Sequence, residues 1–122
     1  MANRLFEDGD GIDEDACLAI YDNDHEFYKL VLDTFYKEII KVSVGMKETF
    51  AAKDTENYRI LVHGLKGAGG SAGAKHLVEL ATESNALIKA GDWEGSVKYH
   101  EPLLEELDRL MKLIPERIGS HR

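Results

Sequence analysis

Apolar residues recur every three or four positions along most of the chain, and no convincing run alternates between apolar and polar residues as a strand would. The pattern predicts a first, short helix over residues 13–21 and a long second helix that ends near residue 52. Asn23 and Glu26 have the spacing of a capping pair at the start of the second helix. The apolar positions of that helix are Phe27, Val31, Phe35, Ile39, Met46 and Phe50.

Three further helices are predicted after residue 53. Asp54 is expected to cap the third helix, and the glycine-rich run 69–73 to end it. A fourth helix follows and stops at Gly91. Asp92 is expected to cap the fifth, in which Pro102 should cause a local kink because it lacks the N–H that an interior helical residue donates.

Short connections between long amphipathic helices favour antiparallel neighbours. The predicted fold is therefore all-α: an up-down-up-down antiparallel four-helix bundle with a short additional N-terminal helix. The 122 residues have the size of one domain. Residues 1–12 are expected to form a loose N-terminal segment, and residues 118–122 a frayed tail.

The third predicted helix carries His63 within a glycine-rich stretch. On a helical projection His63 lies opposite the apolar side. Lys66 and Gly67 follow one turn later on the same face, and Gly70 follows after two turns. The apolar side of the projection consists of Tyr58, Leu61, Leu65, Ala68 and Ala72. His63 is therefore expected to face solvent beside a cation and bare backbone.

Glycines make this part of the helix intrinsically weak, since each costs roughly 0.5–1 kcal/mol relative to alanine. Gly64, Gly67, Gly69 and Gly70 together indicate that a partner or a phosphate must approach closely. Imidazole is a nucleophile near neutral pH, and a nearby lysine favours an anion attached to it. These features favour a phosphohistidine over a metal site.

Each of these residues also has a simpler interpretation. The histidine could be an ordinary surface residue, the lysine one more solvated charge, and the glycines a frayed helix end. His76 is expected to face solvent or a partner. No metal site is predicted, because no other histidine has a second ligand at metal-like spacing.

Composition excludes several classes of partner. The formal net charge is −8 and no basic cluster appears, which argues against nucleic acid. No stretch approaches the roughly 18 apolar residues of a membrane span, so membrane insertion is not expected. The single cysteine, Cys17, suits a reducing compartment, and a cytoplasmic location is predicted.

The glycine-rich stretch resembles the motif of histidine-containing phosphotransfer (HPt) domains, and the resemblance extends over most of the chain. The departures are Ser84 and Asn85, where such domains often carry leucine and glutamate. The residues at motif positions are His63, Leu65, Lys66, Gly67, Gly73, Ala74, Leu77 and Leu80.

The resemblance implies a phosphocarrier of two-component phosphorelays, without ATP-binding or autokinase machinery of its own. His63 would relay a phosphoryl group between receiver-domain aspartates, and Lys66 would stabilise its charge. The implied partners are response-regulator receiver domains, which would supply the Mg²⁺, and a hybrid sensor histidine kinase. The chain itself would hold no cofactor or metal. A monomer is predicted separately, because the acidic helices show no spare heptad seam. The residues expected to contact a partner are Arg59, Ile60, Gly64, Gly67, Gly70 and His76.

An alternative function is a non-phosphorylated helical adaptor that binds a receiver or a histidine kinase, with His63 incidental. An enzyme with its own small-molecule chemistry is not supported, because the sequence lacks paired carboxylates, a catalytic triad and convergent pocket residues.

Overall fold

A computed structural model describes residues 4–119, and within that range the chain forms helices but no strand. The predicted all-helical class is confirmed. One isolated antiparallel bridge joins Ile12 to Ala74. The predicted frayed tail begins on Ile118, which is the last residue of the final helix, and residues 120–122 lie outside the described range. The helices are α1 (Glu14–Ile20), α2 (His25–Ala51), α3 (Thr55–Ala72), α4 (Lys75–Lys89), α5 (Trp93–Val97) and α6 (His100–Ile118).

The four long helices form the predicted up-down-up-down bundle. Helices α2 and α4 each pack against both α3 and α6, so the four close around one core. Residues 52–54 connect α2 to α3, and residues 73–74 connect α3 to α4, which leaves room only for antiparallel neighbours. Each long helix contributes fully buried side chains to the core, among them Leu32, Ile39, Leu65, Leu77 and Leu107. No described helix is long and apolar enough to cross a bilayer.

Aspartate side chains cap α1, α2, α3 and α5, as expected for residues that accept a hydrogen bond from a free N–H of the first turn. Asp54 accepts from Asn57 N and Asp92 from Gly95 N, so these two predicted caps are confirmed. The predicted Asn23–Glu26 pair is wrong. Asp24 caps α2 instead, and Asn23 adopts a left-handed conformation (φ +58°) in the preceding turn, which asparagine tolerates.

The predicted single fifth helix is also wrong, because the chain divides it into α5 and α6 at Lys98 and Tyr99. Pro102 is the third residue of α6. Its missing N–H would have had no intrahelical partner there, and Leu103 makes the first intrahelical bond, donating to Tyr99 O at 2.9 Å. Pro102 therefore lies where proline does not disturb a helix.

The prediction of a loose N-terminal segment is wrong for its described part, residues 4–12. The ring of Phe6 is only 2% exposed. The buried carboxylate of Glu14 accepts hydrogen bonds from the N–H groups of Leu5 and Phe6 at 2.9–3.1 Å. Arg117 of α6 donates to Leu5 O at 2.9 Å and pairs with Asp10 at 2.8 Å. The segment therefore packs against both α1 and α6.

Candidate functional site

His63 lies near the middle of α3, on the face turned away from the core, and its side chain is exposed as predicted. The buried side of α3 differs slightly from the apolar side that the helical projection predicted. Val62 and Gly69 are buried, whereas Leu61 and Ala68 are half-buried at its edges. Packing between antiparallel helices follows alternating steps of three and four residues. The fully inward positions of α3 are accordingly Tyr58, Val62, Leu65, Gly69 and Ala72.

Two cations lie one turn from His63 along α3, and they differ in their pairing. Arg59 precedes it by four residues and forms an ion pair with Glu56 at 3.0 Å. Lys66 follows by three residues, is half-buried, and makes no ion pair within residues 4–119. The charge of Lys66 is therefore available to an anion on His63, while the charge of Arg59 is already offset.

Three of the four glycines leave the surface beside His63 uncovered. A Cβ added at Gly64, Gly67 or Gly70 would meet no heavy atom within 4 Å. At Gly69 it would lie 2.9 Å from Cγ2 of Val78, so this glycine permits close packing of α3 against α4. Grouping Gly69 with the open surface was therefore wrong. Nothing that packs within residues 4–119 requires glycine at the other three positions.

A groove of about 450 Å³ lies between α2 and α3. On α3 it is lined by Ala68 and Ser71, which directly follow the open positions Gly67 and Gly70. Phe27 and Leu30 are 45% and 64% exposed beside it, which is high for large apolar side chains. The groove was not predicted, because the spacing of apolar residues assigns Phe27 to the core stripe of α2. Leu30 was the available signal, since it lies off that stripe. The lining residues are Phe27, Leu30, Val31, Thr34, Phe35, Glu38, Ala68 and Ser71.

The remaining predicted contact residues lie at different distances from His63. Ile60 is 51% exposed and precedes His63 by one turn. His76 is exposed at the start of α4, where Nδ1 lies 3.7 Å from Oε1 of Glu79. Helix α3 runs roughly 14 Å along its axis from His63 to Ala72 before the turn into α4. The structure therefore does not bring His76 to His63, and its contact with a partner stays a prediction.

Comparison with known proteins identifies the family. The model of the Hpt domain family matches residues 30–113, which is more than half of the chain. The chain belongs to the Hpt domain family. The structure is similar to the crystal structure of histidine-containing phosphotransfer protein B (HptB) from Pseudomonas aeruginosa PAO1, with a TM-score of 0.78 and 19% sequence identity over 92% of this chain and 97% of that one. Comparison with curated protein sequences returned no match.

Membership of this family assigns the chain to histidine phosphotransfer in a phosphorelay. Hpt proteins are phosphocarriers that interact with receiver domains and kinases. The bundle and its short N-terminal helix agree with the fold of the family. Such a phosphocarrier needs a histidine that is accessible to a second protein.

The N-terminal end of α3 is held by aromatic packing in this Hpt domain. The hydroxyl of Tyr58 and Nδ1 of His100 are hydrogen-bonded at 2.8 Å. The ring of Phe50 stacks on His100 with centroids 3.7 Å apart, and Trp93 meets Tyr58 edge-on at 5.3 Å. Burial lowers the pKa of His100, and the nearby Glu101 carboxylate partly offsets this effect. His100 is therefore a packed core residue.

The C-terminal end of α3 is held by hydrogen bonds from other helices. The hydroxyl of Tyr28 on α2 donates to Ala72 O at 2.8 Å, and that of Tyr21 donates to Ser71 O at 2.9 Å. The thiol of Cys17 on α1 also donates to Ser71 O, at 3.5 Å. Burial raises the pKa of both the Tyr28 hydroxyl and the Cys17 thiol, which keeps them protonated as donors.

Proposed function

We propose that His63 is the phosphoacceptor of this Hpt domain. The observation that carries the proposal is the contrast among the three histidines in the matched range 30–113. His63 is exposed beside Lys66, which is unpaired within residues 4–119, whereas His100 is only 7% exposed and packs among aromatic rings. His76 lies beside the carboxylate of Glu79, which would repel a phosphoryl group.

The proposed reaction transfers a phosphoryl group from a receiver-domain aspartyl phosphate to His63. A ring nitrogen of His63 attacks phosphorus, the new N–P bond forms, and the O–P bond to the receiver breaks in line with it, leaving the aspartate carboxylate. The reverse step delivers the group to a second receiver. Because such transfer has a loose transition state, the carrier contributes mainly position and charge.

The surroundings of His63 support this chemistry. A phosphoryl group carries about −1.5 to −2 charges near pH 7. Lys66, one turn away and unpaired within the described range, is placed to offset that charge. The open backbone at Gly64, Gly67 and Gly70 gives a receiver close access. The apolar groove between α2 and α3 offers surface that docking would bury.

We propose that the partners are response-regulator receiver domains and a hybrid sensor histidine kinase, docking over the face that includes Arg59, Ile60 and the three open glycines. The family resemblance implies that the receiver contributes the Mg²⁺. A net charge of −8 disfavours self-association and supports a monomer. The single cysteine, buried and unpaired, supports a cytoplasmic location.

Radiolabel transfer from phosphorylated receiver domains tests the proposal. Wild type is expected to acquire acid-labile label, His63→Gln to acquire none while keeping the wild-type circular dichroism spectrum and melting temperature, and His76→Gln still to acquire label, whatever its rate. His76 is the appropriate control because it is also exposed. Label on His63→Gln would assign the phosphoacceptor to another residue. Receiver binding without label on wild type would instead favour the adaptor function.

A further inference from the structure

The segment of α3 that follows His63 has a low intrinsic helix propensity, yet its backbone must stay helical if a partner is to dock on it. Gly64, Gly67 and Gly70 gain no packing from the rest of the described chain, and glycine favours the unfolded state of a helix. A partner that docks on bare backbone nevertheless requires that backbone to hold one conformation. Contacts from outside the segment must therefore supply the order.

Such contacts reach the last turn of α3 from α2 and from the end of α1. Ser71 and Ala72 have carbonyl groups without a partner inside α3, as is normal for the end of a helix. Each accepts a tyrosine hydroxyl, from Tyr21 and Tyr28 respectively. The two rings also lie against each other, with centroids 6.3 Å apart, and Tyr28 is fully buried. We call these two residues and their hydrogen bonds the tyrosine clamp.

The clamp connects to the glycines through the helical hydrogen bonds. The hydroxyl of Ser71 donates to Gly67 O at 3.2 Å, and the N–H of Gly73 donates to Gly69 O and Gly70 O. Gly73 adopts a left-handed conformation (φ +83°) that ends the helix. Holding the last turn in place therefore also holds the turns that contain Gly67 and Gly70.

We propose that Tyr28, assisted by Tyr21, is a positioning residue that keeps the glycine-rich half of α3 helical and so preserves the face on which a receiver docks. The effect on transfer rests on the proposed function of His63, whereas the effect on helix order does not. Opening of this half would lower the fraction of molecules competent to bind. Loss of the clamp should therefore weaken docking and leave the chemical step in the docked complex unchanged.

Amide hydrogen exchange tests the clamp directly. Tyr28→Phe removes only the hydroxyl. Tyr58→Phe is the matched control, since it removes a 2.8 Å hydrogen bond of an equally buried tyrosine at the other end of α3. Exchange of the amides of residues 67–73 is expected to be about fivefold faster in Tyr28→Phe than in Tyr58→Phe, which corresponds to roughly 1 kcal/mol for one buried hydrogen bond. Equal exchange in the two variants would overturn the clamp.

A rescue variant separates helix order from general destabilisation. Gly70→Ala strengthens the helix at a position where a methyl group meets nothing within 4 Å. In the Tyr28→Phe background it should return the exchange of residues 67–73 to within about twofold of wild type. If exchange stayed fast, loss of helical order would not be the cause and the proposal would fail.

Phosphotransfer kinetics test the link to docking. The comparison is made at a temperature at which exchange shows residues 67–73 open in about half of the Tyr21→Phe/Tyr28→Phe molecules. The receiver concentration that gives the half-maximal transfer rate should then be about double that of wild type at the same temperature, while the rate constant at saturating receiver stays at the wild-type value. An unchanged half-maximal concentration at that temperature would overturn the role in docking. If wild type accepts no label, the proposed function fails, but the exchange measurements still decide whether the clamp exists.

Discussion

The two halves of α3 are stabilised in different ways on either side of His63. In the half before it, Tyr58 packs against Trp93 and is hydrogen-bonded to His100. In the half after it, the exposed face carries glycines in place of large side chains. The last carbonyl groups accept hydrogen bonds from the hydroxyls of Tyr21 and Tyr28 and from the thiol of Cys17. Packing stabilises a helix by covering it. Hydrogen bonds to its last carbonyls stabilise it without covering the face that a partner must reach.

The largest expected effect is a difference in the free energy of unfolding between alanine variants of two adjacent glycines, one packed against α4 and one open. Gly69→Ala should lower the free energy of unfolding by about 1–3 kcal/mol, because the new methyl group would lie 2.9 Å from Val78 on α4. Gly70→Ala should raise it by about 0.5–1 kcal/mol, because the site is open and alanine favours the helix. Urea unfolding of the two variants measures both values, and equal signs would show that the two positions do not differ in packing.

The two cations beside His63 provide the next test. Lys66→Ala should slow phosphotransfer about five- to tenfold, since it removes a positive charge that is unpaired within residues 4–119 and lies one turn from the proposed phosphoacceptor His63. Arg59→Ala should slow it less than about threefold, because Glu56 already offsets that charge. Single-turnover transfer from one receiver gives both rates, and a larger effect for Arg59→Ala would reverse the assignment of the phosphate-stabilising cation.

The smallest expected effect is a pH dependence of the free energy of unfolding, caused by His100, which packs against the half of α3 that precedes His63. Burial lowers the pKa of His100, so the folded protein resists its protonation and the unfolded chain does not. The stability that neutral His100 contributes is present above the ordinary histidine pKa of about 6.5 and is lost as the pH falls below it, with a slope of at most about 1.4 kcal/mol per pH unit.

Unfolding monitored through Trp93, the single tryptophan, can measure this loss at pH 8 and pH 5.5. The variant Tyr58→Phe/His100→Phe removes both hydrogen-bonding partners, so it leaves no buried hydroxyl unpaired. Its free energy of unfolding should change less than that of wild type between the two pH values. An identical change would mean that His100 does not contribute to the pH dependence.

Features that depend on nearby residues were predictable from the sequence. The spacing of apolar residues located the long helices, Asp54 and Asp92 were identified as caps, and Gly73 was within the run expected to end α3. The exposure of His63 followed from the same helical spacing. Each of these inferences needs only contacts within about one helical turn.

Features that depend on distant residues were not predictable in the same way. Tyr28 and Ala72 meet although 44 positions separate them. Phe6 is buried in a segment that is hydrogen-bonded to Glu14 of α1 and to Arg117 of α6. Gly69 and Gly70 are adjacent and chemically identical, and only the position of α4 distinguishes them. Apolar spacing shows which face of a helix is buried but not which neighbour covers it.

The exposed position of His63 on α3 would also affect how long a phosphoryl group stays on it. With His63 as the phosphoacceptor, no cavity formed by residues 4–119 would surround the group, and bulk water would reach it from most directions. Its persistence would then depend on the rate at which water hydrolyses the N–P bond. The docking partner would determine when the phosphoryl group is transferred. This chain would only hold the group until that partner binds.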